Sequence, residues 1–255
     1  MYNRLFFFKL LFLFLCQVSL AQQTILTDSN LPIMVILTDI DPDTNLPIDI
    51  PDEPKVLATM QLIYRPDGTR NYLTDITNDT FLNYNGRIGI ELRGSSSQVL
   101  EKKPYGFTTL MEDDESNNNV NLLGMPSEND WVLNSLAYDP SMVRDYLSYT
   151  LSSNMGNYAP RVKYIEVIVN DDYKGVYILT EKIKRDSDRV NLTKIADFDN
   201  TAPEVTGGYI VKADKINGDD EVAWTMPNSG GWETNFLHHY PKTEDITGQQ
   251  ADYIE

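Results

Sequence analysis

Cysteine is almost absent from the chain, with one, Cys16, among 255 residues. Cys16 lies in a leader expected to be removed, so the mature protein is read as having no disulfide, no cysteine metal site and no cysteine nucleophile. Its core alone must stabilise it. Histidine is nearly as scarce, at two residues, His238 and His239. Adjacent side chains on a strand point to opposite faces, so a metal shared by this pair is not expected. Positive charge is also in short supply: 21 Lys and Arg stand against 38 Asp and Glu, for a net charge of −17. That balance argues against nucleic acid or an anionic membrane as partner, because a phosphate backbone is repelled. Beyond Leu15 no apolar run approaches membrane-spanning length, and no internal repeat is visible.

The leader itself reads clearly. Arg4 and Lys9 accompany the apolar run Leu5 to Leu15, and Ser19-Leu20-Ala21 has the small-x-small form of a cleavage site. Residues 1–21 are therefore expected to be a secretory signal peptide, which places the protein outside the cytoplasm, in the periplasm, at the cell surface or secreted. Residues 22–30 are a polar leader, and residues 31–255 are read as the folded portion.

Alternation marks the strands. Leu31 to Leu37 and Val56 to Tyr64 are apolar and β-rich, separated by an Asp- and Pro-rich loop. Asn83 to Gly86 is expected to turn. From Arg87 to Arg93, Ile88, Ile90 and Leu92 face one way and Gly89, Glu91 and Arg93 the other. A polar turn, Gly94-Ser95-Ser96-Ser97, follows, and a strand carrying Lys102 and Lys103 returns. Such a turn, rich in backbone donors and beside a cation, suits a polyphosphate; an ordinary solvated hairpin has the same spelling. One helix is well marked. Asp139 and Pro140 suit its start, Val143, Leu147 and Leu151 recur at i, i+4 and i+8, and Gly156 suits its stop. That stripe is expected to pack on the sheet as core. Arg161 to Val169 and Val176 to Ile183 form a hairpin around a turn at Asn170 to Gly175, and Gly208 to Ala213 is a further strand. The expected class is α+β, with a largely antiparallel sheet and one main packed helix.

A series of short motifs in order carries more than any of them alone. After the Gly94 turn come Asn121-Leu122-Leu123-Gly124-Met125-Pro126 and Asn129-Asp130-Trp131-Val132-Leu133. Then follow Met142-Val143-Arg144-Asp145, Tyr158-Ala159-Pro160-Arg161, Gly175-Val176-Tyr177, Thr180-Glu181-Lys182-Ile183-Lys184-Arg185, Arg189-Val190-Asn191-Leu192 and Gly207-Gly208-Tyr209-Ile210. Over most of residues 31–255 this series resembles the CotH kinase family, the spore-coat-protein-H-like atypical protein kinases. The spelling at the front resembles secreted members from Bacteroidetes-type bacteria.

The resemblance implies an exported, ATP-dependent protein Ser/Thr kinase using Mg2+ or Mn2+, with a protein substrate that offers a Ser or Thr hydroxyl. It implies a kinase-like N-lobe for this chain, cut before its C-lobe. Phosphoryl transfer chiefly needs phosphates held and charge neutralised. Arg93, Gly94, Ser95, Ser96 and Ser97 would cradle phosphates. Lys103 would pair with them, being the lysine the resemblance keeps beside the Pro-Tyr pair. Arg144 would orient phosphates or make a structural ion pair, and Glu181 would border the nucleotide, pair with Lys103 or be a sheet-edge charge. The family's catalytic and metal-binding acids lie in segments not found here, since none of Trp131, Trp224 and Trp232 is followed by Asp. The chain is thus expected to be an inactive fragment missing the other half of its domain. The alternative is a non-enzymatic surface adhesion or scaffold module, or a pseudokinase. Asp197-Phe198-Asp199 only mimics a magnesium-binding kinase motif, without its Gly.

Overall fold

Seven strands alternate between two faces and close on themselves. They are β2 (Ile33–Thr38), β3 (Val56–Ile63), β5 (Leu82–Leu92), β6 (Tyr105–Leu110), β7 (Asp130–Asn134), β8 (Val162–Val169) and β9 (Asp172–Glu181). The computed structural model describes residues 25–216 and 221–255; the expected signal peptide lies outside the described residues. The barrel order is β2-β3-β5-β6-β7-β9-β8. All neighbours are antiparallel except the closing pair, β2 and β8, which run parallel with Ile33 opposite Glu166 and Ile36 opposite Val169. Closure leaves the barrel no unpaired edge.

Alternate residues fill the interior. Met34 and Ile36, Met60 and Leu62, Ile88 and Ile90, Trp131 and Leu133, and Tyr177 and Leu179 are at most 1% exposed. The loop between β6 and β7 adds Leu122, Leu123 and Met125 to the same cluster. Leu123 and Gly124 adopt left-handed φ of 51° and 76° there, and the Asn83 side chain accepts from the Leu123 amide at 2.8 Å. The opposite faces of β2 and β3 bury Ile33, Val35 and Ile63 in a second cluster, against Leu26, Leu73 and Ile76. A two-stranded ribbon of β1 (Asp28–Ser29) and β4 (Asn71–Tyr72) lies in this N-terminal part.

After the barrel, β10 (Ile210–Ala213), β11 (Val222–Pro227) and β12 (Glu233–Tyr240) form a separate sheet in the order β10-β12-β11. Two helices complete the described chain: α1 (Arg144–Asn154) and α2 (Gly248–Ile254), the latter begun by a capping box between Thr247 and Gln250.

The expectation of an α+β, kinase-like N-lobe built on one packed helix is overturned: the fold is mainly β and its centre is the closed barrel. None of the residues of α1 is buried, and Val143, Leu147 and Leu151 are each about half exposed. The reason is closure. The strands bury one apolar side inside the barrel, and the apolar outer patch of β2 and β3 is covered by Leu26, Leu73 and Ile76, so no open apolar sheet face is left for α1. Polar and aromatic links hold α1 instead. Asn134 donates to Asp145 at 2.7 Å, and Tyr146 stacks on Tyr164 at 4.9 Å. The helix also starts five residues after Asp139, because Met142 takes φ 56° and Asp139 accepts from the amides of Ser141 and Arg144.

Smaller differences have local causes. Asn83 to Gly86 continue β5 rather than turning. The β8–β9 turn is only Asn170-Asp171, both left-handed at φ 49° and 62°, as a two-residue hairpin requires. Gly175 lies in β9, at φ +88°, beside the register shift at Val167/Ile168.

Candidate functional site

The Gly94 turn is built by strand geometry and then fastened on several sides. The Arg93 amide still donates to the Pro104 carbonyl at 3.0 Å. At Gly94 the chain takes φ +86°, and any Cβ there would collide with Ser97 Oγ, so glycine is required twice over. Ser96 to Val99 form a 3-10 turn. Gln98 donates to the Gly94 carbonyl and to Asp52, and Tyr138 donates to the Ser96 carbonyl at 2.9 Å. Lys103 Nζ donates to the Gln98 carbonyl at 2.6 Å, which bolts the returning strand to the turn. The Gly94 and Ser95 amides reach no acceptor among the described residues, and the Arg93 side chain makes no hydrogen bond or ion pair there.

Lys102 goes elsewhere. Its ammonium lies 4.6 Å from the centre of the Tyr177 ring and donates to the Val176 carbonyl at 2.5 Å. Burial pushes its pKa down, opposed by the field of Glu166.

Arg93, Gly94, Ser95 and Gln98 form one wall of a first cleft of about 930 Å3. The facing wall comes from the small sheet and the loop after it, with Lys212, His238, His239 and Lys242. Asp52, Glu53 and Glu91 line it as well, and Glu91 is 3.4 Å from Lys55.

Next to it, a second cleft of about 810 Å3 shares His239 and Lys242 with the first. It runs from the outer side of β7 and the end of β9 to the loop before α2. Asp130, on β7, accepts from Thr108 at 2.9 Å and from Lys184 at 3.0 Å. Burial raises its carboxyl pKa, but the fields of Lys182 and Lys184 and these hydrogen bonds outweigh that and hold it below the usual range. Lys182 is exposed to the cleft yet ringed by protein; desolvation lowers its pKa, with Asp130 opposing. Beneath both lies Arg189, 5% exposed. It donates to the carbonyls of Asp130 and Lys182 at 2.9 and 2.7 Å and its guanidinium lies 5.1 Å from the Trp131 ring centre. Arg189 thereby ties β7, which carries Asp130, to the segment just after β9 that carries Lys182.

Of the residues singled out in sequence, the structure brings Arg93, Gly94 and Ser95 into the first cleft; Ser96, Ser97 and Lys103 are not in its lining, and the Lys103 ammonium is engaged by the Gln98 carbonyl. Arg144 and Glu181 are not in either lining. The Arg144 side chain is 73% exposed and sits 3.6 Å from Asp139. Glu181 is buried against Arg161, accepting from its backbone amide and its guanidinium, both at 2.8 Å. It is thus a structural ion pair rather than a partner of Lys103. The histidines diverge: His239 is 2.9 Å from the Ile183 carbonyl, while His238 packs edge-on to Trp224. Phe198 is 80% exposed and Asp199 accepts from the Ala196 amide, so Asp197-Phe198-Asp199 forms a local loop. Lys182, Lys194 and Lys242 were not singled out. Lys182 stands in a quoted motif, but nothing in sequence shows that the three share a cleft.

No group of three or more His, Cys, Asp or Glu among the described residues is arranged to hold a metal ion. No described helix is long and apolar enough to cross a membrane. In comparisons with known proteins, the model of the family described as CotH kinase protein matches residues 90–255. No curated protein matches the chain.

Proposed function

The chain belongs to the CotH kinase protein family, and from that membership we propose that it supplies the nucleotide-binding face of an exported atypical protein kinase, which moves a phosphoryl group from ATP to a Ser or Thr hydroxyl of a protein. The family match, which includes the Gly94 turn, carries this reading. The geometry supports it: Arg93 and the Gly94 and Ser95 amides are donors with no acceptor among the described residues, on the wall of a cleft large enough for a nucleotide. Gln98, Tyr138 and Lys103 hold that turn in shape before a ligand arrives, and donors fixed in place lose little on binding. Lys103 acts by bracing the turn through the Gln98 carbonyl.

The family implies Mg2+ or Mn2+ with the ATP. The described carboxylates do not fit such an ion as a set: they gather no metal site, and Asp130 is engaged by Thr108 and Lys184. No step is therefore assigned to a metal here.

Thermal melting with and without ATP and Mg2+ tests the reading. ATP at about 100 times its Kd is expected to stabilise the fold by about 2.7 kcal/mol. Arg93→Ala should shrink that shift while leaving the ligand-free melt nearly unchanged; Lys103→Ala, which removes the brace to the Gln98 carbonyl, should shrink it and lower the ligand-free melt as well. Absence of any shift at millimolar ATP would defeat the proposal.

A further inference from the structure

The second cleft is basic in a chain that is otherwise strongly acidic. Its wall carries Lys182, Lys184, Arg185, Lys194 and Lys242, whereas the whole chain has a net charge of −17. Lys184 is neutralised, 2.7 Å from Glu128 and 3.0 Å from Asp130. The others are not. Lys182 and Lys194 have no hydrogen bond or ion pair among the described residues. Arg185 has the face of Tyr240, at 5.2 Å, and Lys242 only an exposed pair with Glu244 at 3.7 Å. Unpaired cations held together in a concave site concentrate field and draw anions to that one place.

Asp130, Asp197 and Asp245 line the cleft as well, and five cations against three carboxylates leave it net positive. An extended polypeptide places same-side residues about 7 Å apart. Its carboxylates are presented singly, which suits cations carried on separate segments: Lys182 just after β9, Lys194 in the loop that follows and Lys242 just after β12.

We propose that the second cleft binds an acidic polypeptide segment through its Asp and Glu side chains, and that this segment belongs to the phosphoacceptor protein. Naming the acceptor rests on the kinase reading; the acidic-peptide site does not. The two clefts share His239 and Lys242, so a peptide in the second would run toward a nucleotide in the first.

The test is fluorescence anisotropy with labelled Ser-containing peptides flanked by Glu, by Gln or by Lys. The full chain would be compared with its Lys182→Glu and Lys194→Glu variants and with Lys163→Glu, an exposed β8 residue that lines neither cleft. The Glu peptide should bind best and weaken with added salt. Each cleft variant should lose about tenfold in affinity, about 1.4 kcal/mol, and Lys163→Glu little. Lys182→Gln and Lys194→Gln, which carry no new negative charge, should weaken binding less, in the same order. The proposal is overturned if the Glu peptide binds no better than the Gln peptide. It is also overturned if inorganic triphosphate displaces the Glu peptide and itself loses affinity in Lys194→Glu, which would make the cleft a polyphosphate site. Peptide binding without any ATP-dependent melting shift would retire the kinase reading and leave the acidic-peptide site standing.

Discussion

The barrel interior and helix α1 carry apolar patterns of similar strength and opposite fates. Along β5, Ile88 and Ile90 alternate with Gly89 and Glu91 and are fully buried. Along α1 and its N-cap, Val143, Leu147 and Leu151 recur at helical spacing and stay about half exposed. The difference lies in what each pattern has to face. Strand residues in a closed barrel face one another across its axis, so burial follows from closure. A helical stripe needs a separate apolar surface, and none is left at α1: the barrel interior is closed, and the outer apolar patch of β2 and β3 is covered by Leu26, Leu73 and Ile76. Periodicity therefore identifies the secondary structure in both places, but predicts burial only where the element supplies its own partner.

The comparison breaks first at the barrel. Leu133→Ala or Ile90→Ala removes a fully buried side chain from an interior that cannot collapse freely, with an expected loss of about 2–5 kcal/mol. A denaturant titration reads it directly. A loss below about 1 kcal/mol would mean that the interior is loosely packed and the contrast with α1 overstated.

A smaller effect is expected where α1 is tethered. Hydrogen bonds from Ser141 and from the Arg144 amide lower the Asp139 carboxyl from 3.8 to about 2, against a weaker contribution from burial in the opposite sense. A depressed carboxyl stabilises the fold above its unfolded pKa, and the benefit is lost as pH falls through the folded value. Asp139→Asn should therefore melt below the parent at pH 7. The gap should close between about pH 4 and pH 2. A pH-independent gap would assign the loss to shape rather than charge.

The smallest effect belongs to the stripe itself. Leu147→Ser and Leu151→Ser should change stability by no more than about 0.5 kcal/mol, as at other exposed positions. A loss of several kcal/mol in solution would show that something covers this face.

Much of the barrel was legible because alternation is a local property. β2, β3, β5 and the β8–β9 hairpin begin or end within a few residues of where the pattern of Ile, Val and Leu puts them. The strand β7 was less visible: Asp130 to Asn134 is short, and Trp131 with Leu133 reads equally as a loop motif. β11 and β12 were missed, since Val222 to Pro227 and Glu233 to Tyr240 carry polar residues and bulges that blur the period. The parallel contact between β2 and β8 joins residues more than a hundred positions apart, and no local signal announces it. In the candidate site, the Gly94 turn was legible from its Gly and Ser content. Glu181 was not, because its partner depends on Arg161 arriving across the end of β9.

The sequence alone determined most of the extended stretches of the barrel, that a polar turn follows Arg93, and that the series of motifs is that of a CotH family member. Short-range sterics and the spacing of apolar residues are enough for these. Tertiary structure alone decided that the sheet closes, that the helical stripe stays uncovered, and that Lys182, Lys194 and Lys242 meet in one basic cleft. Each of these depends on pairings between distant segments, and those are set by which surfaces remain to be buried after the nearer ones have met.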